Sequence, residues 1–202
     1  MSRASAWLFD CTLHLSIGDI DVHIPVPGSH MVYNALAGAC AAIELGLTKE
    51  EIKKGVSSVR TIAGRTNLIE TDSLLVIDDC YNANPVSMMG SLDILSTAKG
   101  RTVAILGDMF ELGTNEKQMH FDTGVHAAKK NIDLICCIGE LSKNTYDGAK
   151  SIDHSGMVLY FRTKQDFIDQ MNELIKKDDT VLVKASHGLE FPEIVELLKE
   201  FK

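Results

Sequence analysis

Between Leu13 and Val26 the chain alternates apolar and polar positions: Leu13, Leu15 and Ile17 precede Gly18-Asp19, and Ile20, Val22, Ile24 and Val26 follow it. A period of two on both sides of a Gly-Asp pair predicts a β-hairpin within residues 1–27. Pro25 and Pro27 close the second strand, and Gly28-Ser29 opens an Ala-rich helix from about His30 to Leu45, with Ser29 as its expected N-cap. Gly46 ends that helix. Thr48 with Glu51 has the spacing of a capping box and starts a second helix that runs to about Val56.

From Leu68 onward the pattern changes. Apolar runs at 67–71, 74–78, 102–106, 133–138, 157–161 and 180–184 predict strands, and segments near 85–98, 115–130, 140–149, 164–176 and 190–200 predict helices. Asn115 and Gln118 offer a cap for the second of these helices. Strands alternating with helices of this length imply βαβ units with right-handed crossovers. The expected class is α/β, a mostly parallel sheet with helices on both faces. The join falls around Ala63-Gly64-Arg65, so residues 63–202 are expected to form a complete domain. Residues 1–62, a hairpin and two helices over a thin core, read as the end of another domain, and the chain as the end of a longer protein.

Composition narrows the function. A formal charge of −8 over 202 residues argues against a nucleic-acid partner, which needs a basic surface. No apolar stretch approaches the roughly 20 residues of a membrane span, and Met1 to Asp10 lacks the apolar core of a signal peptide. The five cysteines contain no Cys-x-x-Cys pair and read as reduced thiols. Together these features predict a cytoplasmic protein without membrane insertion.

Candidate chemistry gathers at strand ends, where open α/β sheets bind ligands. Asp78-Asp79-Cys80-Tyr81-Asn82-Ala83-Asn84-Pro85 follows the run Leu74–Ile77. There a carboxylate suits ribose hydroxyls, while Asn84-Pro85 also suits the N-cap and first position of a helix. Gly107-Asp108-Met109-Phe110-Glu111-Leu112-Gly113 places Asp108 and Glu111 where they could meet an amine, or simply form a solvated acidic loop. Lys184-Ala185-Ser186-His187-Gly188 offers an ammonium, a hydroxyl and an imidazole to a carboxylate. Upstream, His30 and Asn34 lie four apart on one helical face, spaced to meet an adenine edge or to sit on an ordinary capped helix. Gly64-Arg65 supplies a guanidinium suited to phosphate, or a plain surface arginine.

Five motifs occur in order: Gly-x-His-x-x-x-Asn-Ala-Leu-Ala, Gly-Arg, Asp-Asp-x-Tyr-Asn-Ala-Asn-Pro, Gly-Asp-Met-x-Glu-Leu-Gly and Val-Lys-Ala-Ser. With them, residues 10–202 resemble the C-terminal part of the Mur ligases of peptidoglycan synthesis. The resemblance implies a Rossmann-like C-terminal domain at 63–202 and the end of an ATP-binding central domain at 1–62. It implies ATP and Mg2+ as cofactors, with UDP-N-acetylmuramoyl-tripeptide and D-alanyl-D-alanine as partners of a monomeric enzyme. The tripeptide carboxylate is phosphorylated and the dipeptide amine attacks the acyl phosphate. Carried over, His30 and Asn34 lie by the adenine, Asp79 by the ribose and Arg65 by the phosphates. Tyr81, Asn82, Asn84, Ser87, Asp108, Glu111, Lys184, Ser186 and His187 receive the dipeptide, with Arg65 and Lys184 supplying the catalytic charge.

The family's phosphate loop, of the Gly-x-x-Gly-Lys-[Ser/Thr] type, has no counterpart in the 202 residues, and Gly148-Ala149-Lys150-Ser151 lacks the strand and glycine that would precede it. The chain is therefore expected not to ligate by itself. Two alternatives remain at this level: another Mur or folylpolyglutamate-type ligase, or a non-catalytic Rossmann-like binding module.

Overall fold

In the computed structural model the described residues are 7–202; residues 1–6, part of the stretch read as lacking a signal peptide and of the first expected domain, lie outside them. The chain divides into two units, one ending at Thr61 and the other running from Ile62 to Lys202.

In the first unit, strands β1 (Phe9–Leu13) and β2 (Ile20–Ile24) pair antiparallel, with Leu13 opposite Ile20. The alternation has its physical meaning here: Ile20, Val22 and Ile24 are buried while Asp21 and His23 face solvent. Helices α1 (His30–Glu44) and α2 (Lys49–Ser57) add Ala39 and Ile52 to the small core. The capping box of α2 forms as expected, with Glu51 N–H donating to Thr48 Oγ1 at 3.3 Å and Thr48 N–H to Glu51 Oε2 at 2.8 Å. These bonds from Thr48 hold the Glu51 carboxyl below its usual range. The Ser29 cap does not form. Ser29 already has helical dihedrals and its side chain makes no cap bond, because the Gly28 carbonyl accepts from Met31 N–H and starts the turn through the backbone.

The second unit is built on β3 (Asn67–Glu70), β4 (Leu75–Asp78), β5 (Thr102–Gly107), β6 (Leu134–Ile138), β7 (Met157–Phe161) and β8 (Thr180–Lys184), in the order β3-β4-β8-β5-β6-β7. All neighbours are parallel except the edge strand β3, which runs antiparallel to β4. The inner strands are apolar on both faces, as a doubly covered sheet requires. Val76, Val103, Ile105, Leu134, Cys136, Val181 and Val183 pack with Phe167, Met171, Phe191, Ile194 and Leu198. These partners belong to α6 (Lys164–Ile168), α7 (Met171–Leu174), α8 (Pro192–Lys199) and the segment leading into it. On the other face lie α3 (Pro85–Ser96), α4 (Glu116–Lys129) and α5 (Ser142–Lys150), packed side by side.

Two predicted features differ. The helix expected over 164–176 is two short helices parted by a turn at Asp169-Gln170, where the Gln170 carboxamide donates to the Asp166 carbonyl left over by the break. The expected Asn115–Gln118 cap is absent: Asn115 ends a 3-10 turn over Gly113–Asn115, and Gln118 instead bonds Asp122. Among the described residues no helix is long and apolar enough to cross a membrane.

Candidate functional site

In the middle of the sheet β4, β8 and β5 run parallel, so the loops after Asp78, Lys184 and Gly107 leave from neighbouring carboxyl ends. At the end of β4 two carboxylates hold the turn that begins the unit. Asp78 Oδ2 accepts from Gly64 N–H at 2.8 Å and Oδ1 from the Cys80 thiol at 3.0 Å. Burial pushes that thiol far up, so it stays a protonated donor. Asp79 Oδ1 accepts from Thr66 N–H at 2.8 Å and from the Thr66 hydroxyl at 3.3 Å. Asp79 Oδ2 receives the Ser91 hydroxyl at 2.5 Å and the Lys184 ammonium at 2.6 Å. Tyr81 N–H closes the turn on the Gly64 carbonyl at 2.9 Å. Gly64 sits at φ 78°, and a Cβ there would lie 3.0 Å from Tyr81 Cβ, so the tight approach needs glycine.

Lys184, expected to face a substrate carboxylate, is only 2% exposed. Its ammonium also donates to the Asn82 carbonyl at 3.2 Å and lies 3.4 Å from the Asp79 carbonyl. Three donors meet three acceptors, and none is left for a ligand.

At the end of β5, Asp108 is likewise turned inward. Its Oδ1 accepts from Ser142 N–H, the first residue of α5, at 2.6 Å. A carboxylate at a helix N-terminus is stabilised by the free amides and the dipole. Gly139, at φ 118°, makes room for it: a Cβ there would stand 2.5 Å from the carboxylate. Asp108 is therefore a fastener between β5 and α5 rather than an open anionic loop residue. Ser186 is similarly engaged, its N–H on the Asp108 carbonyl at 3.0 Å and its Oγ accepting from Phe110 N–H at 2.9 Å.

The outward groups are different ones. The Arg65 guanidinium lies 4.3 Å from the Tyr81 ring centroid, within cation–π range. The His187 ring is tilted against the same phenol at 5.6 Å. Arg65, Tyr81, Asn82, Glu111 and His187 are all exposed. Glu111 adopts φ 62°, outside the usual range for its residue type. Asn84 and Ser87 form a reciprocal capping box for α3, with Ser87 N–H on Asn84 Oδ1 at 2.9 Å and Asn84 N–H on Ser87 Oγ at 3.1 Å. Pro85 takes the first helical position as expected.

His30 and Asn34 belong to the first unit. Both are exposed on the first turns of α1, and the Asn34 carboxamide meets Met31 Sδ at 3.4 Å. Asn34 also lines an apolar groove of about 360 Å³ that includes Met31, Ala35 and Ile52.

The structure thus sorts the expected residues into an exposed set and a buried frame of Asp79, Asp108, Lys184 and Ser186. Two residues bonded to that frame, Thr66 and Ser91, escape the sequence reading. Their signal was faint: Thr66 adjoins Arg65, and Ser91 lies one helical turn beyond Ser87.

A family model described as Mur ligase, glutamate ligase domain, matches residues 64–187. This chain belongs to the Mur ligase family. The Mur ligase chain is 34% identical over 192 residues to the UDP-N-acetylmuramoyl-tripeptide--D-alanyl-D-alanine ligase of Bacillus subtilis (strain 168), covering 93% of this chain and 42% of that protein. The corresponding ligase of Escherichia coli (strain K12) is 33% identical over 192 residues, covering 94% and 41%. A crystal structure of MurF from Acinetobacter baumannii superposes with a TM-score of 0.86 at 32% identity, over 95% of this chain and 42% of that one. The chain therefore spans about two fifths of the length of these relatives.

Proposed function

We propose that this chain is the part of an ATP-dependent amide ligase that receives the amino partner, joining D-alanyl-D-alanine to the carboxylate of UDP-N-acetylmuramoyl-tripeptide through an acyl phosphate. The observation that carries the reading is the 34% identity, over 93% of the chain, to a relative bearing that name. A cytoplasmic, monomeric enzyme of peptidoglycan synthesis is part of the same proposal.

The exposed groups suit the task. An acyl phosphate concentrates negative charge, and the Arg65 guanidinium, held over the Tyr81 ring, is a preorganised partner for it. The dipeptide brings an ammonium and a carboxylate: Glu111 suits the first, and His187 and the Asn82 carboxamide suit the second. Positioning the amine against the activated carbonyl is the main catalytic work, since no covalent nucleophile is required. His30 and Asn34 are assigned to the adenine of ATP, on the first unit. Asn84, Ser87, Asp108, Lys184 and Ser186 act by holding the loops that surround the dipeptide.

Asp79, assigned to the ribose, fits that group less directly. Thr66, Ser91 and Lys184 use the roughly four lone-pair positions of its carboxylate, so a ribose hydroxyl would have to displace Thr66 or Ser91. Among the described residues no three His, Cys, Asp or Glu side chains converge as a cation site. No step is assigned here to the Mg2+ used with ATP.

Titration of the 15N-labelled chain with D-alanyl-D-alanine tests the reading. Amide shifts centred on Tyr81, Asn82, Glu111 and His187, stronger than those with L-alanyl-L-alanine, are expected. Equal responses to both stereoisomers, or shifts confined to other surfaces, would contradict it.

A further inference from the structure

We propose that Lys184 is a positioning residue: acting through Asp79 and the Asn82 carbonyl, it sets the two turns that present Arg65 and Tyr81. The inference needs no ligand and stands apart from the ligase reading.

Burial and stoichiometry lead to it. Lys184, at the end of β8, is 2% exposed, and Asp79 beside it is 7% exposed. Each is saturated by the other and by neighbouring groups, so neither has a free position for a substrate. What the pair does hold is backbone. Asp79 Oδ1 takes the N–H and hydroxyl of Thr66, the residue directly after Arg65. Thr66 sits at φ 48°, a left-handed conformation that a β-branched residue rarely adopts. Such a conformation persists only where the surroundings impose it, and the Asp79 carboxylate is what imposes it. The next link runs to Tyr81, whose N–H donates to the Gly64 carbonyl while its ring lies beneath the Arg65 guanidinium. The third ammonium bond, to the Asn82 carbonyl, fixes the chain just beyond Tyr81. One buried cation thus aims one exposed cation without touching it.

Ser91 contributes from α3 by donating to the same Asp79 oxygen that Lys184 contacts. It keeps Oδ2 engaged and leaves Oδ1 turned to Thr66.

Lys184→Met removes the charge with little change in length and leaves the carboxylate buried and unpaired, which is severe in a low-dielectric interior. The double variant Lys184→Met, Asp79→Asn makes the pair neutral, while the carboxamide oxygen can still accept from Thr66. Amide hydrogen exchange at Thr66, and the ring-current shifts of the Arg65 side chain above Tyr81, are the readouts. Amides of β6 serve as an internal standard.

In Lys184→Met, exchange at Thr66 should speed up at least about tenfold relative to β6, the factor that one charged hydrogen bond controls, and the Arg65 ring-current shifts should collapse. The double variant should recover most of both signals. Uniform acceleration across Thr66 and β6, with the Arg65 shifts retained, would reduce Lys184 to a general stabilising residue and overturn the proposal. Should Lys184→Met not fold, Lys184→Gln, which removes the charge but keeps a donor for Asp79, provides the same comparison with a smaller perturbation. Unchanged Thr66 exchange in that variant would equally overturn the proposal.

Discussion

Met109 donates its backbone N–H to Nε2 of the buried His120 at 2.9 Å, while the opposite ring nitrogen faces the Glu116 carbonyl at 2.7 Å. One nitrogen must accept and the other donate, so the ring is neutral with its proton on Nδ1. The loop after β5 is thereby tied to α4, close to the exposed Glu111. Replacing His120 by Ala leaves a buried amide without an acceptor, at a cost of about 1–3 kcal/mol, before any cavity is counted. A fall in Tm of roughly 2–4 °C per kcal/mol is expected. A variant with an unchanged melting curve would show that the loop is held by other contacts.

Helices α4 and α5 cross with almost no space between their backbones. A Cβ added at Gly124 would lie 1.9 Å from the Thr145 carbonyl oxygen, and one at Gly148 would lie 2.0 Å from that of Phe121. Ala normally favours a helix over Gly by about 1 kcal/mol, yet Gly124→Ala should destabilise. The expected loss is at least ~1–3 kcal/mol, since the backbones must separate. Denaturant unfolding checks the sign, and a gain in stability would refute the close crossing.

Acid titration should show a small contribution from Asp93. Burial works to raise its carboxyl, but the hydrogen bonds from Lys130 and His126 outweigh it and leave the group below its ordinary 3.8. The contacts are 2.7 Å to His126 and 2.9 Å to Lys130, with the carboxylate half exposed. A lowered folded-state value means stability that is complete above 3.8 and drains away as pH falls through the folded-state value. Solvent screening keeps it under about 1 kcal/mol. Asp93→Asn should flatten this part of the curve below 3.8, measured by urea midpoints.

Asp179 has the opposite sign. Burial raises its carboxyl above 3.8 despite the Lys176 amide and the Arg101 guanidinium, the latter 2.7 Å away. The native state holds this proton more tightly than the unfolded chain does, so its contribution declines as pH climbs from 3.8 through the raised value. Asp179→Asn should remove that decline in the same urea series. A steeper decline in the variant would reverse the assignment.

On the proposed reading, Arg65→Ala in the full-length protein should lower turnover by on the order of 10²–10³, the effect of removing one preorganised charge from a developing anion. Tyr81→Leu keeps the guanidinium but removes the ring beneath it, and a smaller loss is expected, on the order of 10-fold. Steady-state ADP release distinguishes the two, and equal losses would show that the ring matters as much as the charge.

Much of the fold was legible because strand and helix periods are local properties. Every predicted strand of the second unit formed, and the Thr48–Glu51 and Asn84-Pro85 helix starts were readable from side-chain chemistry alone. Ser29 and Asn115 have the same chemistry but stand where the backbone is already turning, and that depends on neighbours. Which strand-end loops adjoin was legible, but how their side chains are engaged was not. A strand-end lysine, serine or aspartate looks like ligand chemistry in a sequence. Whether Lys184 points outward or across to Asp79 depends on β8 lying beside β4, a pairing between segments about a hundred residues apart. Ser91 and Thr66 become visible only through that same pairing.

The place of β8 also bears on how the molecule is made. Without residues 180–184, β3 and β4 would have no hydrogen-bonded connection to β5, β6 and β7. A ribosome delivers those two groups well before the strand that joins them, and pairing across such sequence separation is slow. During synthesis the apolar edges of β4 and β5 therefore wait uncovered, a window in which chaperones or aggregation compete for the nascent chain.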